Sequence, residues 1–404
     1  MNRSEAAGSG ANLPVLRSHN AALVLELLRT AGEAGISRLE LAGRTGLTPQ
    51  AVSKITARLR ADGFAAEAGR RASTGGKPRT VLRLVPGAAY AVGLHLDRDR
   101  VSAVLVDLAG EVVAGRSAEL DFGAGADVVT AAAADAVSGV VAGADGVAAG
   151  VGSGVAGAGG AGGAGGAGPV RGGPPRVLGV GVAAPGPLDH EAGLLGRVTG
   201  FPQWDGYPLR DALAERLGLP VVLDKDTNAA ALGPALRGPG DSFAYLHLGT
   251  GLGAGLVLGG ALYRGPRTGA GEFGHQTVQL DGEPCGCGGR GCVEALCLAA
   301  VARGDHAAAA RFLGVGAVNL VRLLDVDRVL LGGRTVDADP DVFVRGVAAV
   351  IAERARQGGG GGPVPVAAAG GGRWFVAEGA AQLALAPVFG RFGRAAAPFS
   401  IRRT

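Results

Sequence analysis

The stretch Glu272-Phe273-Gly274-His275, followed by Cys285-Gly286-Cys287-Gly288-Gly289-Arg290-Gly291-Cys292-Val293-Glu294, fixes one point of the fold before any helix is drawn. Its spacing is H-x9-C-x-C-x4-C. One imidazole and three thiolates, His275, Cys285, Cys287 and Cys292, make a closed tetrahedral zinc set. The run Gly288-Gly289-Arg290-Gly291 lets the chain fold back around the ion. A full ligand set leaves no open position, so the expected zinc is structural, not catalytic. All four cysteines fall between 285 and 297. That clustering suits a metal site in a cytoplasmic protein and not a secreted disulfide framework. Cys297 reads as a small buried hydrophobe.

Upstream of this loop the pattern is α/β. Tyr90–Leu96 and Val101–Leu108 read as a strand pair, with a return strand near Glu111-Val112-Val113 and an Ala-rich helix over Asp127–Val141. Gly143–Gly173 is almost entirely Gly, Ala and Val. It has too little side-chain surface to offset ordering entropy, and reads as a flexible surface insertion over about 143–175. Val177–Ala183 is a buried-strand pattern closed by Pro185-Gly186-Pro187, and Leu209–Leu217 a helix. The strand Val221-Val222-Leu223 ends in Asp224-Lys225-Asp226-Thr227-Asn228, with a helix opening at Ala229. Polar clusters at the carboxyl ends of strands are where α/β sheets place ligands. Gly249-Thr250-Gly251-Leu252-Gly253-Ala254-Gly255 has two readings: a backbone cradle for phosphate, or a glycine hairpin between two strands.

The 404 residues exceed one ordinary domain, so two or three lobes are expected. Lys+Arg 39 against Asp+Glu 35 gives +4, which excludes a polybasic tail protein but allows one local nucleic-acid face. No apolar stretch follows Met1, and no run of about 20 apolar residues lacks charge or glycine, so neither a signal peptide nor a membrane span is expected.

The first 85 residues carry three helical patterns. Ser18 is placed to cap a helix with Leu23, Leu27 and Leu28. Ser37 and Glu40 form a capping box. After the turn at Gly46, Thr48 caps a third helix with Pro49 at its first position. Val52, Ile55 and Leu59 share one face, and Gly63 ends the helix. Two strands around a basic loop follow, completing a winged helix. Its second helix is predicted to enter the major groove, with Thr48, Gln50, Ser53, Lys54 and Arg58 on the DNA side. Arg70, Arg71, Lys77 and Arg79 would meet phosphates or a minor groove. Charge alone also fits a small helical domain with a solvated face. The capping signals, turn and Arg/Lys-rich wing together favour DNA.

These motifs resemble the ROK family (repressors, open reading frames and sugar kinases). The resemblance rests on the winged helix, Ala184-Pro185-Gly186-Pro187, Asp226-x-Asn228-Ala-Ala-Ala, the 249–255 glycines, Glu272–His275 and Cys285–Glu294. It implies a winged helix-turn-helix over 1–85 and a two-lobed, actin-like sugar-kinase fold over 86–404, usually dimeric, with sugar in the interlobe cleft. By that resemblance Asp226 matches the catalytic base, Asn228, Glu272 and Glu294 belong to the sugar site, and His275 binds zinc with one nitrogen and faces sugar with the other.

Several positions depart from the family. His95-Leu96-Asp97-Arg98-Asp99 stands where kinases carry Asp-x-Gly-Gly-Thr. Both glycines are lost, and two carboxylates are gained that would repel a triphosphate. Arg334 replaces a glycine near adenosine, Gly200 an Asn at the sugar, and Pro234 an acidic residue. The stretch 295–318 is shorter than usual. The expectation is a cytoplasmic, sugar-responsive repressor that binds operator DNA as a homodimer or dimer of dimers. It carries structural zinc, uses no ATP, and keeps Asp226 as a vestigial base. The alternative is an ATP-dependent, glucokinase-like enzyme with an added DNA-binding domain.

Overall fold

The computed structural model describes residues 13–71, 79–150, 175–237, 241–358, 362–370 and 372–391. Lys77 and most of the Gly/Ala insertion lie outside these. The described residues fall into two compact units. One holds those up to Tyr90, with Asp107–Glu111 and the described residues from Leu385 on. The other holds Ala91–Val106 and Val112–Ala384.

In the first unit, helix α1 (Leu13–Ala31) buries Val24, Leu25 and Leu28. It begins five residues before Ser18, which therefore lies inside the helix and not at its cap. Pro14 sits in the first turn, where its missing N–H costs nothing, and Val15-Leu16-Arg17 carry the helix on. A short strand β1 (Ile36–Ser37) leads into α2 (Arg38–Thr45). The Ser37 hydroxyl accepts from the Glu40 N–H at 3.3 Å, and the Glu40 carboxylate accepts from the Ser37 N–H at 2.8 Å. This is the capping box the sequence spells. Gly46 turns the chain with φ 68°, and Thr48 caps α3 (Pro49–Ala61) by accepting from Ala51 N–H at 3.2 Å. Val52, Thr56 and Leu59 are buried. The wing is an antiparallel pair, β2 (Ala65–Arg71) and β3 (Arg79–Leu84), and β1 joins it in the order β1-β3-β2.

The second unit contains two five-stranded sheets. The first comprises β4 (Tyr90–Leu96), β5 (Arg100–Asp107), β6 (Val112–Glu119), β7 (Val177–Ala184) and β10 (Val221–Lys225), in the order β10-β7-β4-β5-β6. Helix α4 (Ala126–Gly150) connects β6 to β7. It carries on past Val141 through the first part of the expected loop, because Ala142, Ala144, Ala148 and Ala149 keep helix propensity high there. The small hairpin β8 (Leu188–Asp189) and β9 (Leu194–Leu195) and helix α5 (Leu209–Leu217) precede β10, and α6 (Asp226–Arg237) follows it.

The second sheet comprises β11 (Phe243–Leu248), β12 (Leu252–Leu258), β13 (Ala261–Tyr263), β14 (Arg328–Gly332) and β15 (Val366–Ala368), in the order β13-β12-β11-β14-β15. Counted along the chain, both sheets have one strand order, third-second-first-fourth-fifth, so one layout occurs twice. Helices α7 (Val293–Ala302) and α8 (His306–Leu324) fill the stretch 295–318. With α9 (Arg334–Ala338) and α10 (Pro340–Gly358), they pack the second core, which includes Phe273, Leu313, Val336 and Phe343. Part of α4 and all of α8 are long and apolar enough to cross a membrane by length and composition alone, though both are interrupted by charge and glycine. Leu313, Ala317 and Leu320 of α8 are buried in that core, and α4 packs against β6.

The glycine segment resolves as the hairpin. β12 already begins at Leu252, leaving only Gly249–Gly251 as the turn. Gly255 lies within the strand against α6, where a Cβ would overlap the Thr227 carbonyl. Its bareness serves helix packing. Helix α11 (Phe375–Leu385) closes on the first sheet over Gly93 and Gly181.

Candidate functional site

The turns β4–β5 (Asp97–Asp99) and β11–β12 (Gly249–Gly251) occupy equivalent places in the two sheets, and they meet. Thr250 Oγ1 donates to Asp97 Oδ1 at 2.9 Å, and Arg98 Nη1 donates to the Thr250 carbonyl at 3.4 Å. Arg334, at the start of α9, donates to both oxygens of Asp99 at 2.7 and 2.9 Å and reaches Asp97 at 3.5 Å. Burial works against the charge on Asp97. His95, the Arg98 N–H, Thr250 and Arg334 outweigh it and hold the carboxyl below its ordinary range. The hydrogen bond it donates to Asp99 holds Arg334 above its usual value, against partial burial.

A cleft opens beside these turns, and Asp97, Arg98, Asp226, Glu272, His275 and Glu294 are among its lining. Asp226 is the first residue of α6. Its Oδ1 accepts from Thr227 N–H at 2.6 Å, and among the described residues its other oxygen accepts nothing. Glu294, in the first turn of α7, accepts from Leu252 N–H at 2.8 Å. Four of the five sugar-site residues read from the sequence, Asp226, Glu272, His275 and Glu294, therefore share one cleft.

Asn228 does not join them. It is fully buried, and its Nδ2 donates to Asp224 Oδ1 at 2.8 Å. The reason is the earlier helix start. With Asp226 already helical, Asn228 lies about 200° further round α6, on the opposite face. It holds Asp224, which pairs with Arg264 at 2.7 Å. Lys225, Arg98 and Thr250 line the cleft without having been read as site residues. Lys225 carried one signal: it is one of three lysines in the chain, set between two acids at a strand end.

A ring nitrogen of His275 and the sulfurs of Cys285, Cys287 and Cys292 lie within 4.8 Å of one another. His275 Nδ1 is 3.6 Å from Cys285 Sγ, and Cys287 Sγ is 3.8 Å from Cys292 Sγ. A tetrahedron with Zn–S bonds of ~2.3 Å has S–S edges of about 3.8 Å, so the set fits zinc. Burial and the neighbouring thiols push Cys292 up to about 12, a cost that a bound cation removes. Cys297 stands apart and fully buried, its thiol also pushed up to about 12 by burial.

On the first unit, Thr48, Gln50, Ser53, Lys54 and Arg58 are all exposed along α3. Arg58 lies 3.6 Å from Asp62. Arg70 and Arg71 end β2, opposite Thr80 and the exposed Arg79 of β3.

Comparison with known proteins agrees with this division. Residues 172–303 match the ROK family, and residues 23–64 match winged helix-turn-helix DNA-binding domains. The chain is 25% identical over 391 residues to a putative xylose repressor of Caldicellulosiruptor sp. (strain Rt8B.4), covering 85% of this chain and 90% of that one. It is 44% identical over 128 residues to the glucokinase of Thermotoga maritima, across 31% of this chain and 40% of the enzyme. A ROK family transcriptional regulator described as a homolog of the E. coli MLC protein superposes with a TM-score of 0.68 at 21% identity, covering 93% of this chain and 98% of that one. One chain thus joins a segment that matches the ROK family to an N-terminal segment that matches winged helix-turn-helix DNA-binding domains.

Proposed function

We propose that the protein is a sugar-responsive transcriptional repressor. The observation that carries this is the outer face of α3. Gln50, Ser53 and Lys54 stand exposed while Val52, Thr56 and Leu59 of the same helix are buried. A capped helix held rigidly with polar and basic side chains outward is what a major groove accepts. The full-length likeness to a putative xylose repressor supports the same reading. Asp226, Glu272, His275 and Glu294 supply acceptors for sugar hydroxyls in the cleft, and zinc at His275 and the three cysteines braces the segment between Glu272 and Glu294.

Effector binding shifts the balance between lobe arrangements and, through it, operator affinity of a dimer on an inverted repeat. Operator binding places this work in the cytoplasm. Asp226 also suits an ATP-dependent sugar kinase, since phosphoryl transfer needs a carboxylate near the attacking hydroxyl. The β4–β5 turn argues against that role. Arg334, Asp97 and Asp99 form an ion-pair cluster where a phosphate cradle needs bare backbone N–H groups.

The test is DNA-affinity sequencing of the purified protein on its own genome at about 100 mM salt, followed by sugar release from the sites found. Sharp palindromic peaks that a sugar abolishes or strengthens are expected. No enrichment by folded, metal-loaded protein removes the repressor reading. ADP release that is lost in Asp226→Asn restores the kinase.

A further inference from the structure

Lys225 ends β10 with its side chain 3% exposed. Its stem passes Gly186, where a Cβ would lie 2.8 Å from Lys225 Cδ. Its ammonium donates to the Ala270 carbonyl and to Glu272 Oε1, the latter at 3.1 Å. An ammonium has three donors. Among the described residues the third meets no protein acceptor, and Lys225 lines the cleft. Glu272 lines it too, its side chain 42% exposed, and its second oxygen accepts no hydrogen bond among the described residues. A spare donor and a spare acceptor therefore stand side by side on one wall.

A hydroxyl satisfies both at once, accepting from the ammonium and donating to the carboxylate. An anionic substituent would satisfy Lys225 but face Glu272, with Asp226 and Glu294 elsewhere in the same lining. A cationic one would face Lys225. Building on the sugar-effector reading above, we propose that Lys225 is a specificity-determining residue of the cleft: with Glu272 it takes one hydroxyl of an uncharged sugar. The competing account is that Lys225 only pins the Ala270–Glu272 loop. Gly271 of that loop does run close to the Ala254 carbonyl.

The experiment is calorimetric titration of full-length wild type, Lys225→Met and Glu272→Gln with D-xylose, D-glucose and their monodeoxy analogues. Circular dichroism and zinc content check folding. For wild type, removal of one particular hydroxyl is expected to weaken binding at least about tenfold, as loss of hydrogen bonds to charged groups does. Both variants should bind the parent sugar correspondingly weakly and become indifferent to that same hydroxyl. Should Lys225→Met not fold, Lys225→Arg keeps the charge while displacing the donor, and is expected to lose the same discrimination. Wild-type affinity in Lys225→Met, or a loss spread equally over all deoxy sugars, overturns the assignment and leaves the loop-pinning account. So does dependence of the two variants on different hydroxyls. No binding of either sugar by wild type overturns the sugar-effector reading itself, and the role of Lys225 with it.

Discussion

Arg334 grips the carboxylate of Asp99 with two parallel hydrogen bonds, at 2.7 and 2.9 Å, across 235 positions of sequence. Together they neutralise each other and join α9 to the β4–β5 turn. The side chains are 43% and 52% exposed, so water screens the pair and its worth is about 0.5–1 kcal/mol. A double-mutant cycle with Arg334→Ala and Asp99→Ala, read by urea unfolding, should return a coupling of that size, shrinking in 0.5 M salt. Zero coupling at low salt would mean that the fork does not persist in solution. Arg334→Ala alone should not confer ATP turnover, because Asp97 and Asp99 are then left uncompensated.

The zinc set predicts a stoichiometry. Metal analysis should find one zinc per chain. A chelator should release it, lower the melting temperature and expose three thiols to alkylation, because binding free energy at such a site is folding free energy. Cys297 should stay unreactive as long as the chain is folded, since it is fully buried with its thiol pushed up to about 12. Metal-free protein with an unchanged melting temperature would dissolve the assignment.

The recognition helix predicts two different losses. Lys54→Ala should weaken operator binding evenly across sequences and reduce the salt slope by about 1 if the ammonium meets a phosphate. Gln50→Ala should relax preference at one base pair, by about 1–3 kcal/mol if it reads a base edge. Binding isotherms on the operator and its single-base variants separate the two. Unchanged isotherms for both variants would move the interface off α3.

What was legible in the sequence was local. Ser37 and Glu40 are three residues apart, Thr48 and Pro49 adjacent, and the four zinc ligands lie within one loop. Each such device closes through contacts that spacing alone can specify. The rest depended on where a helix begins or on partners far along the chain. Starting α6 at Asp226 instead of Ala229 turned Asn228 away from the cleft. Arg334 and Asp99 read as two separate losses because nothing local says they meet. The residues from Leu385 to Arg391 belong to the first unit, where Arg391 pairs with Glu26 and Arg29 lies over the Phe389 ring. No periodicity within a C-terminal segment reveals such a partner.

Acid should act on His95. Burial holds this imidazole below its ordinary value. Asp97 and Asp226 pull it upward, while His247 and Arg334 add to the lowering. The folded state therefore takes the proton less readily than the unfolded state. Stability from this group is complete above about pH 6.5 and is lost as pH falls from there through the folded-state value. Urea unfolding at pH 7.5 and 5.5 should show a larger loss for wild type than for His95→Gln, while the zinc contribution, common to both, cancels. Equal losses would show that His95 is free to take its proton in the native state.

Two glycines should respond to alanine in opposite directions. Gly93 lies in β4 directly under α11, where a Cβ would overlap the Ala377 carbonyl oxygen. Backbone cannot move aside as a flexible side chain does, so Gly93→Ala must push the helix off the sheet, at a cost of about 1–3 kcal/mol or more. Gly43 lies inside α2, exposed, with nothing within 4 Å of an added Cβ. There alanine only narrows the unfolded ensemble and favours the helix, so Gly43→Ala should stabilise by about 0.5–1 kcal/mol. The two effects also fall in different units, so calorimetry that resolves two transitions should show the first variant lowering one and the second raising the other. A Gly93→Ala protein as stable as wild type would mean that α11 does not sit against β4.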